Sequence, residues 1–336
     1  MRTIIIAEAG VNHNGDINTA LRLVESAKEV GADFIKFQTF RADQIVTKSS
    51  PKAAYQLVVT SKMENQYEML KKLELDFDDY HLIIKKCKDV GINFLSTPYN
   101  KQDVDFLLKL GVEGFKIASG QLTELPFLRY CAGKGKRMII STGMANMAEV
   151  FNAVEAIRSV GNDNIVVLQC TTNYPSKIEE ANLLAMLSMK EACKVSVGYS
   201  DHVENNYACF AAVALGAEIV EKHFTLDKNM EGPDHSSSLT KDEFEELVCG
   251  IRNIELCLGS GLKIPSTSEL KNTYGMKRSL VVIKDVEKGS VITEDLIGFK
   301  RPSNGLSVNY FDGIIGKTFA KKMVKDEALQ YSSIVW

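Results

Sequence analysis

Histidine is scarce in this chain, five residues in 336, and the seven cysteines include no CxxC pair. The first fact makes the position of each histidine informative. The second leaves no zinc-ribbon or dithiol redox motif. No stretch approaches the ~18 uncharged apolar residues of a membrane span. The apolar run in MRTIIIAEAG is too short for a secretory signal and no small-residue cleavage site follows it. Basic charge is not in excess either: 40 Lys and Arg against 43 Asp and Glu leave a net charge of −3, which excludes attraction of the whole chain to nucleic acid or anionic lipid. No apolar run leads into GxGxxG, so the dinucleotide-binding fingerprint is missing. The expectation is a cytoplasmic globular protein whose cysteines, Cys87, Cys131 and Cys249 among them, are buried reduced thiols within helices.

What is present is ordinary in composition, 45% hydrophobic and 25% charged, as a packed core requires. The length is that of about two domains at ~150 residues each. One pattern recurs along the first 258 residues. A segment with helical periodicity ends at Gly and a short Ile/Val/Phe-rich run follows, as at Gly31, Gly91, Gly111 and Gly216. Glycine just past a helix supplies the left-handed residue that stops it. Eight β-rich runs start near residues 3, 34, 93, 114, 138, 165, 194 and 218. Apolar nearly throughout, they read as strands covered on both faces. Eight such strands alternating with helices predict an α/β (β/α)8 barrel, with a doubly wound open sheet as the alternative. The long polar segment from 40 to 77 predicts a lid or a loop with helices of its own.

After residue 258 the character changes. Residues 259–276, which hold GSGLKIPSTSE, read as a linker, and residues 277–336 as short β pieces with turns. That tail carries a net +3 against −6 for the rest, a small basic module suited to docking near an anionic substrate.

In a barrel, catalytic side chains come from the C-terminal strand ends. Here most strands end in polar residues: Glu8, then Lys36 and Gln38, then Ser96 and Thr97, then Lys116 and Ser119. The remaining four end at Ser141 and Thr142; Thr171, Thr172 and Tyr174; Ser200, Asp201 and His202; and Lys222 and His223. Any one Ser or Thr is explained by capping of the next helix. Two lysines after apolar strand residues are not, because a buried ammonium is costly unless paired. A ligand with two or three negative charges would pair them, with hydroxyls and helix amides completing a phosphate and carboxylate site. His202 and His223 end consecutive strands, close enough to share one divalent ion. Glu8 is either the salt-bridge partner of a lysine or a general base. Asp234, in GPDH, is either a turn residue or a substrate ligand; His13 and His81 are given no role, and that of His235 is left open.

The segments AEAGVNHNGD, GADFIKFQTF, FLSTP, FKIASG, ISTGM, GYSDH, EKHFTLDKNMEGPDH and KRPSNG, in this order, resemble the N-acetylneuraminate (sialic acid) synthase family over nearly the whole chain. The tail is similar to that family's antifreeze-like (SAF) domain. The resemblance implies an enzyme that condenses phosphoenolpyruvate with an N-acylated mannose-type sugar to a nine-carbon 2-keto acid and phosphate. It implies that Lys36, Thr97, Lys116, Ser119, Ser141 and Ser200 bind phosphoenolpyruvate, with Glu8, Lys36 and Lys116 catalytic. Gln38, Tyr174, Asp234 and Arg301 would bind the sugar. His202 and His223 would hold a divalent metal, usually Mn²⁺, with Mg²⁺ or Co²⁺ as alternatives. It further implies a domain-swapped homodimer in which Arg301 reaches the partner subunit's site. Gln121, Thr172 and Ser303 stand where the family often has Glu, Asn and Gly, and the opening segment with the KAAYQ run is most like bacterial sialic and legionaminic acid synthases. Two other readings compete: a Schiff-base pyruvate aldolase using Lys116 or Lys222, and a non-catalytic carbohydrate-binding protein with the tail as its surface.

Overall fold

The eight β-rich runs become β1 (Ile4–Gly10), β2 (Phe34–Thr39), β3 (Asn93–Pro98), β4 (Gly114–Ile117), β5 (Arg137–Ser141), β6 (Ile165–Cys170), β7 (Ser196–Asp201) and β8 (Ile219–His223) in a computed structural model that describes residues 2–53, 55–61 and 63–336. The chain divides into two units, Met1–Gly259 and Ser260–Trp336. In the first, all strands run parallel in the order β3-β2-β1-β8-β7-β6-β5-β4. β3 and β4 then lie side by side without a hydrogen-bonded ladder, so the barrel closes with one seam. Helices follow the strands, and the glycines that stop four of them, Gly31, Gly91, Gly111 and Gly216, all have positive φ.

The period-two alternation of each strand sorts its residues between two cores. One face packs outward under the helices, where Ile5, Ala7, Ile35, Phe37, Phe115 and Val167 belong to the main core. The other face points into the lumen, where Ile6, Leu95, Ile139, Val166, Leu168 and Ile219 form a separate plug. Gly198 leaves room for that plug: a Cβ there would lie 2.7 Å from Leu168 Cδ2 and 2.4 Å from the Ile219 carbonyl. Above the plug, the inward positions turn polar.

The segment from 40 to 77 carries three short helices, Ala42–Ile45, Gln56–Val59 and Gln66–Lys72. The first and third rest on a small apolar cluster of Val11, Phe40, Met69 and Leu73, against which Ile45 and Leu70 pack. Ala54, within the KAAYQ run, lies outside the described residues. Among the described residues no helix is long and apolar enough to cross a membrane.

One expectation needs correction. Cys249 is exposed, as is Cys257, whereas the other five thiols are buried. Helix Lys241–Leu258 buries Phe244, Leu247, Val248 and Ile251, and at ~100° per residue Cys249 and Cys257 fall on its far side. Within the segment 259–276, Ser266 and Glu269 form a capping box that starts a helix, Thr267–Met276, with no buried residue. The rest of the second unit pairs β9 (Ser279–Val282) with β10 (Ile297–Lys300), and β11 (Thr318–Phe319) with β12 (Ile334–Val335), both antiparallel. Its own core is built on Leu280, Val282, Ile292, Phe319, Met323 and Leu329.

Candidate active site

Alternation and register together place the polar residues in one layer. Glu8 lies opposite both Lys36 and His223, and Ser200 opposite both Cys170 and Glu221. Each of these side chains points into a cavity of about 520 Å³ at the C-terminal mouth of the barrel, the size of a small-ligand site. Every barrel residue singled out from the sequence as a site residue lines it: Glu8, Lys36, Gln38, Thr97, Lys116, Ser119, Ser141, Tyr174, Ser200, His202, His223 and Asp234. Arg301 belongs to the second unit, where it is exposed after β10.

The floor is a buried four-charge cluster. Lys36 Nζ stands 2.7 Å from Glu8 Oε2 and 3.6 Å from Glu221 Oε1; Lys116 Nζ stands 3.3 Å from the same Glu221 oxygen. Burial lifts the Glu8 carboxyl to about 7 against the pull of Lys36. Burial also favours a neutral Glu221, but Lys116 and Lys36 outweigh it and hold that carboxyl below its usual range. The Lys116 ammonium is lowered by burial, which Glu221 only partly offsets. Lys36 moves the other way, since Glu221 and Glu8 together overcome its burial. A hydrogen-bond chain enters from the side: Tyr99 Oη donates to Gln38 Oε1 (3.1 Å) and Gln38 Nε2 to Glu8 Oε1 (3.3 Å).

The hydroxyls surround this floor. Thr97 Oγ1 accepts from Lys36 at 3.3 Å, and Ser119 Oγ accepts from the Gly143 amide at 3.0 Å. Gly143 must be glycine for that approach, because a Cβ would lie 2.9 Å from Ser119 Oγ and nearer still to Thr172 Oγ1. Ser141 Oγ and Thr172 Oγ1 are buried with no partner among the described residues. Buried polar atoms without partners are rare and call for a ligand or solvent.

His202 and His223 meet with ring centroids 5.5 Å apart. His202 Nδ1 lies 2.6 Å from the Thr171 carbonyl; that contact assigns the proton to Nδ1 and leaves the Nε2 lone pair free. His223 Nδ1 is buried without a hydrogen-bond partner among the described residues, 3.9 Å from Asp234 Oδ2, and burial holds its pKa well below the usual imidazole range, so the ring is neutral. Burial would lower the His202 ring, but Cys170, its sulfur 3.9 Å from Nδ1, and its other partners hold it above its usual range; with the ring's second proton displaced, the two imidazoles fit a divalent ion with open positions for water and substrate. No set of three His, Cys, Asp or Glu ligands occurs among the described residues. Tyr174 covers the pair, with centroids 4.0 Å from His202 and 5.6 Å from His223, and Tyr55 packs on Tyr174 at 4.7 Å. The Asp234 carboxyl is pushed up by burial to about 6.

Two strand-end residues turn out to face away from this cavity. Lys222 and Asp201 are odd in the alternation of β8 and β7, so they point outward and pair with each other at 2.5 Å, both fully buried. Lys222 is therefore no nucleophile for a ligand in the lumen, which removes one of the two lysines of the aldolase reading. Sequence reasoning missed Glu221, the inward neighbour of His223 by period two, along with Cys170 on β6 and the lid-side residues Tyr55 and Tyr99. Alternation back from His223 would have found Glu221; nothing local marks Tyr55.

Residues 23–263 match the NeuB family, and residues 277–335 match the SAF domain. The chain belongs to the NeuB family. Among similar proteins is N,N'-diacetyllegionaminic acid synthase of Campylobacter jejuni, 46% identical over 98% of this chain and 99% of that one. The synthase of the same name from Legionella pneumophila is 42% identical over 99% and 95%. Among solved structures, N-acetylneuraminic acid synthetase from Leptospira borgpetersenii is 31% identical with a TM-score of 0.72, covering 81% of this chain and 90% of that one. This NeuB-family member is thus an enzyme of the sialic and legionaminic acid synthase type, a TIM-like barrel followed by a SAF domain.

Proposed function

We propose that the chain condenses phosphoenolpyruvate with an N-acylated mannose-type sugar, either N-acetylmannosamine or 2,4-diacetamido-2,4,6-trideoxymannose, giving the nine-carbon 2-keto acid and phosphate. The observation that carries the reading is the pair of buried lysines set beside two free imidazole nitrogens in one cavity. In it Lys36 and Lys116 neutralise the carboxylate and phosphate of phosphoenolpyruvate, and Thr97, Ser119, Ser141 and Ser200 donate to their oxygens. C3 of the enol forms the new bond to the sugar aldehyde carbon, water adds at C2, and phosphate leaves by C–O cleavage. Glu8 takes the proton of that water, a task suited to a carboxyl near neutrality. Gln38, Tyr174 and Asp234 orient the open-chain sugar. His202 and His223 would hold a divalent ion, Mn²⁺ for preference with Mg²⁺ or Co²⁺ as substitutes, which when bound supplies Lewis-acid polarisation of the aldehyde. Arg301 closes the site of the partner subunit in a domain-swapped homodimer, its planar guanidinium suited to a polar sugar or acyl oxygen. Seven unpaired thiols suit a cytoplasmic location.

A second reading, a Schiff-base pyruvate aldolase, draws on Lys116 alone, whose ammonium is lowered by burial; it leaves the paired imidazoles idle. Phosphate release from phosphoenolpyruvate with Mn²⁺ and either sugar, abolished by EDTA, is the expected result. Trapping of a pyruvate adduct by borohydride without phosphate release would replace the synthase with the aldolase.

A further inference from the structure

The hydrogen bonds from Tyr99 through Gln38 to Glu8 end on the base, yet the chemistry above gives Tyr99 no part. The orientation of the amide between them follows from its two neighbours. An ionised Glu8 can only accept, so Gln38 gives it Nε2 (3.3 Å) and turns Oε1 to the Tyr99 hydroxyl (3.1 Å), which donates. Burial above all holds the Tyr99 hydroxyl above its usual pKa, so it keeps that proton. No other donor reaches Gln38 Oε1 among the described residues.

Tyr99 is itself held from several sides. It follows β3 at the one seam of the barrel, where β3 and β4 share no ladder. Gln121, just past β4, stitches that seam. Its Nε2 donates to the Pro98 carbonyl (3.2 Å) and the Tyr99 carbonyl (3.4 Å), and its Oε1 accepts from the Ala118 amide (3.3 Å). An ionised glutamate there would have no hydrogen to give either carbonyl. The Tyr99 amide donates to Asp103 Oδ2 (3.2 Å), and its ring stands edge-on to Phe40 at 5.9 Å. Backbone and ring are thus fixed without the hydroxyl, which serves Gln38 alone.

We infer that Tyr99 is a positioning residue: through the Gln38 amide it keeps the Glu8 carboxylate aimed while Lys36 is drawn to the substrate. The inference rests on the synthase reading, in which Glu8 is the base. Glu8 Oε1 takes its hydrogen bond from Gln38, and Oε2 its ion pair from Lys36. Bound phosphoenolpyruvate competes for the lysine, and Gln38 is then the remaining hold. Phenylalanine at 99 would keep the ring packing and leave the Gln38 amide oxygen without its donor.

Tyr99→Phe, read by phosphate release, should lower kcat about three- to tenfold, with the phosphoenolpyruvate KM unchanged and the melt near that of the parent. In Gln38→Leu the same change should cost less than about twofold, because the two residues act as one unit. A merely structural tyrosine would cost as much in either background. An unchanged kcat in Tyr99→Phe, or full additivity in the double variant, overturns the role of Tyr99 while the synthase stands. No phosphate release by the parent enzyme with either sugar overturns the synthase reading and this one with it.

Discussion

Replacing Lys222 by methionine tests the assignment of the two faces of β8. The Lys222 ammonium donates to Asp201 Oδ2 at 2.5 Å, to the Asn205 carbonyl at 2.9 Å and to the Val203 carbonyl. The side chains of both charged residues are at most 2% exposed. Without the lysine, Asp201 keeps its contacts with Tyr199 Oη (2.9 Å), the Val203 amide (2.9 Å) and Cys209 Sγ (3.1 Å). It loses its countercharge, and the Val203 and Asn205 carbonyls lose their donor. Removing one partner of a buried ion pair costs about 3–5 kcal/mol. At roughly 2–4 °C per kcal/mol for a unit of this size, Tm should fall by about 6–20 °C. Asp201→Asn combined with Lys222→Met should cost less than the sum of the single changes, since the buried charges disappear together. His202 sits between Asp201 and Val203, both held by this network, so Mn²⁺ affinity measured by chelator competition should weaken as well. Thermal melts of the single and double variants decide the matter. A Lys222→Met melt within about 1 kcal/mol of the parent would refute the buried network, and a pyruvate–borohydride adduct that depends on Lys222 would place its amine in the lumen.

His202→Ala should abolish Mn²⁺ binding in calorimetry with the metal alone, and turnover with it, while the melt stays near that of the parent; a normal rate in Mn²⁺ sinks the ligand assignment. Arg301→Ala should impair sugar use more than phosphoenolpyruvate affinity, and an unchanged sugar KM and kcat would show that the tail closes no site. Glu8 is held at about 7 by burial, so kcat/KM should rise with pH through about 7 as the base ionises, and Glu8→Gln should lose about 10²-fold or more together with that limb. A limb that survives in Glu8→Gln belongs to another group. The same carboxyl binds its proton more tightly folded than unfolded, so it lowers stability as pH climbs from 4.5 to about 7. Glu8→Gln should flatten that part of the stability curve.

Most of the barrel could be read from the chain because its strands are apolar on both faces and its helices stop at glycine, two signals that are local. The floor was half legible for a related reason. Lys36 and Lys116 each interrupt an apolar run, so they stand out, whereas Glu221 sits in VEKH, where three polar residues in a row hide which of them points inward. The pairing of β8 with β1, which sets His223 opposite Glu8, agrees with alternation back from His223: Glu221 and His223 inside and Lys222 outside. Tyr55 and Tyr99 could not have been found locally: their place over the site comes from packing on Tyr174 and from a hydrogen bond to Gln38, contacts of long sequence separation. Cys249 was misplaced because helical periodicity alone does not say which face of the last barrel helix is covered.

The charge balance of the floor explains why burial of two lysines is tolerable before any ligand arrives. Lys36 and Lys116 are matched by Glu8 and Glu221, so the empty cluster is neutral overall and each ammonium has a carboxylate within 3.3 Å. The two carboxylates are not equivalent. Glu221 touches both lysines and stays ionised; Glu8 has only Lys36 within ion-pair distance, and burial lifts it to about 7, so it is the more weakly held of the two. An arriving trianion competes with both carboxylates for the same ammoniums, and Glu8, held by one lysine only, is the one it displaces; freed of Lys36, that carboxylate is the stronger base for the proton of the attacking water. The cluster thus keeps its countercharge on the residue that the reaction then uses as its base. A carboxyl held near neutrality is at once the counterion of the unliganded floor and the proton carrier of the reaction.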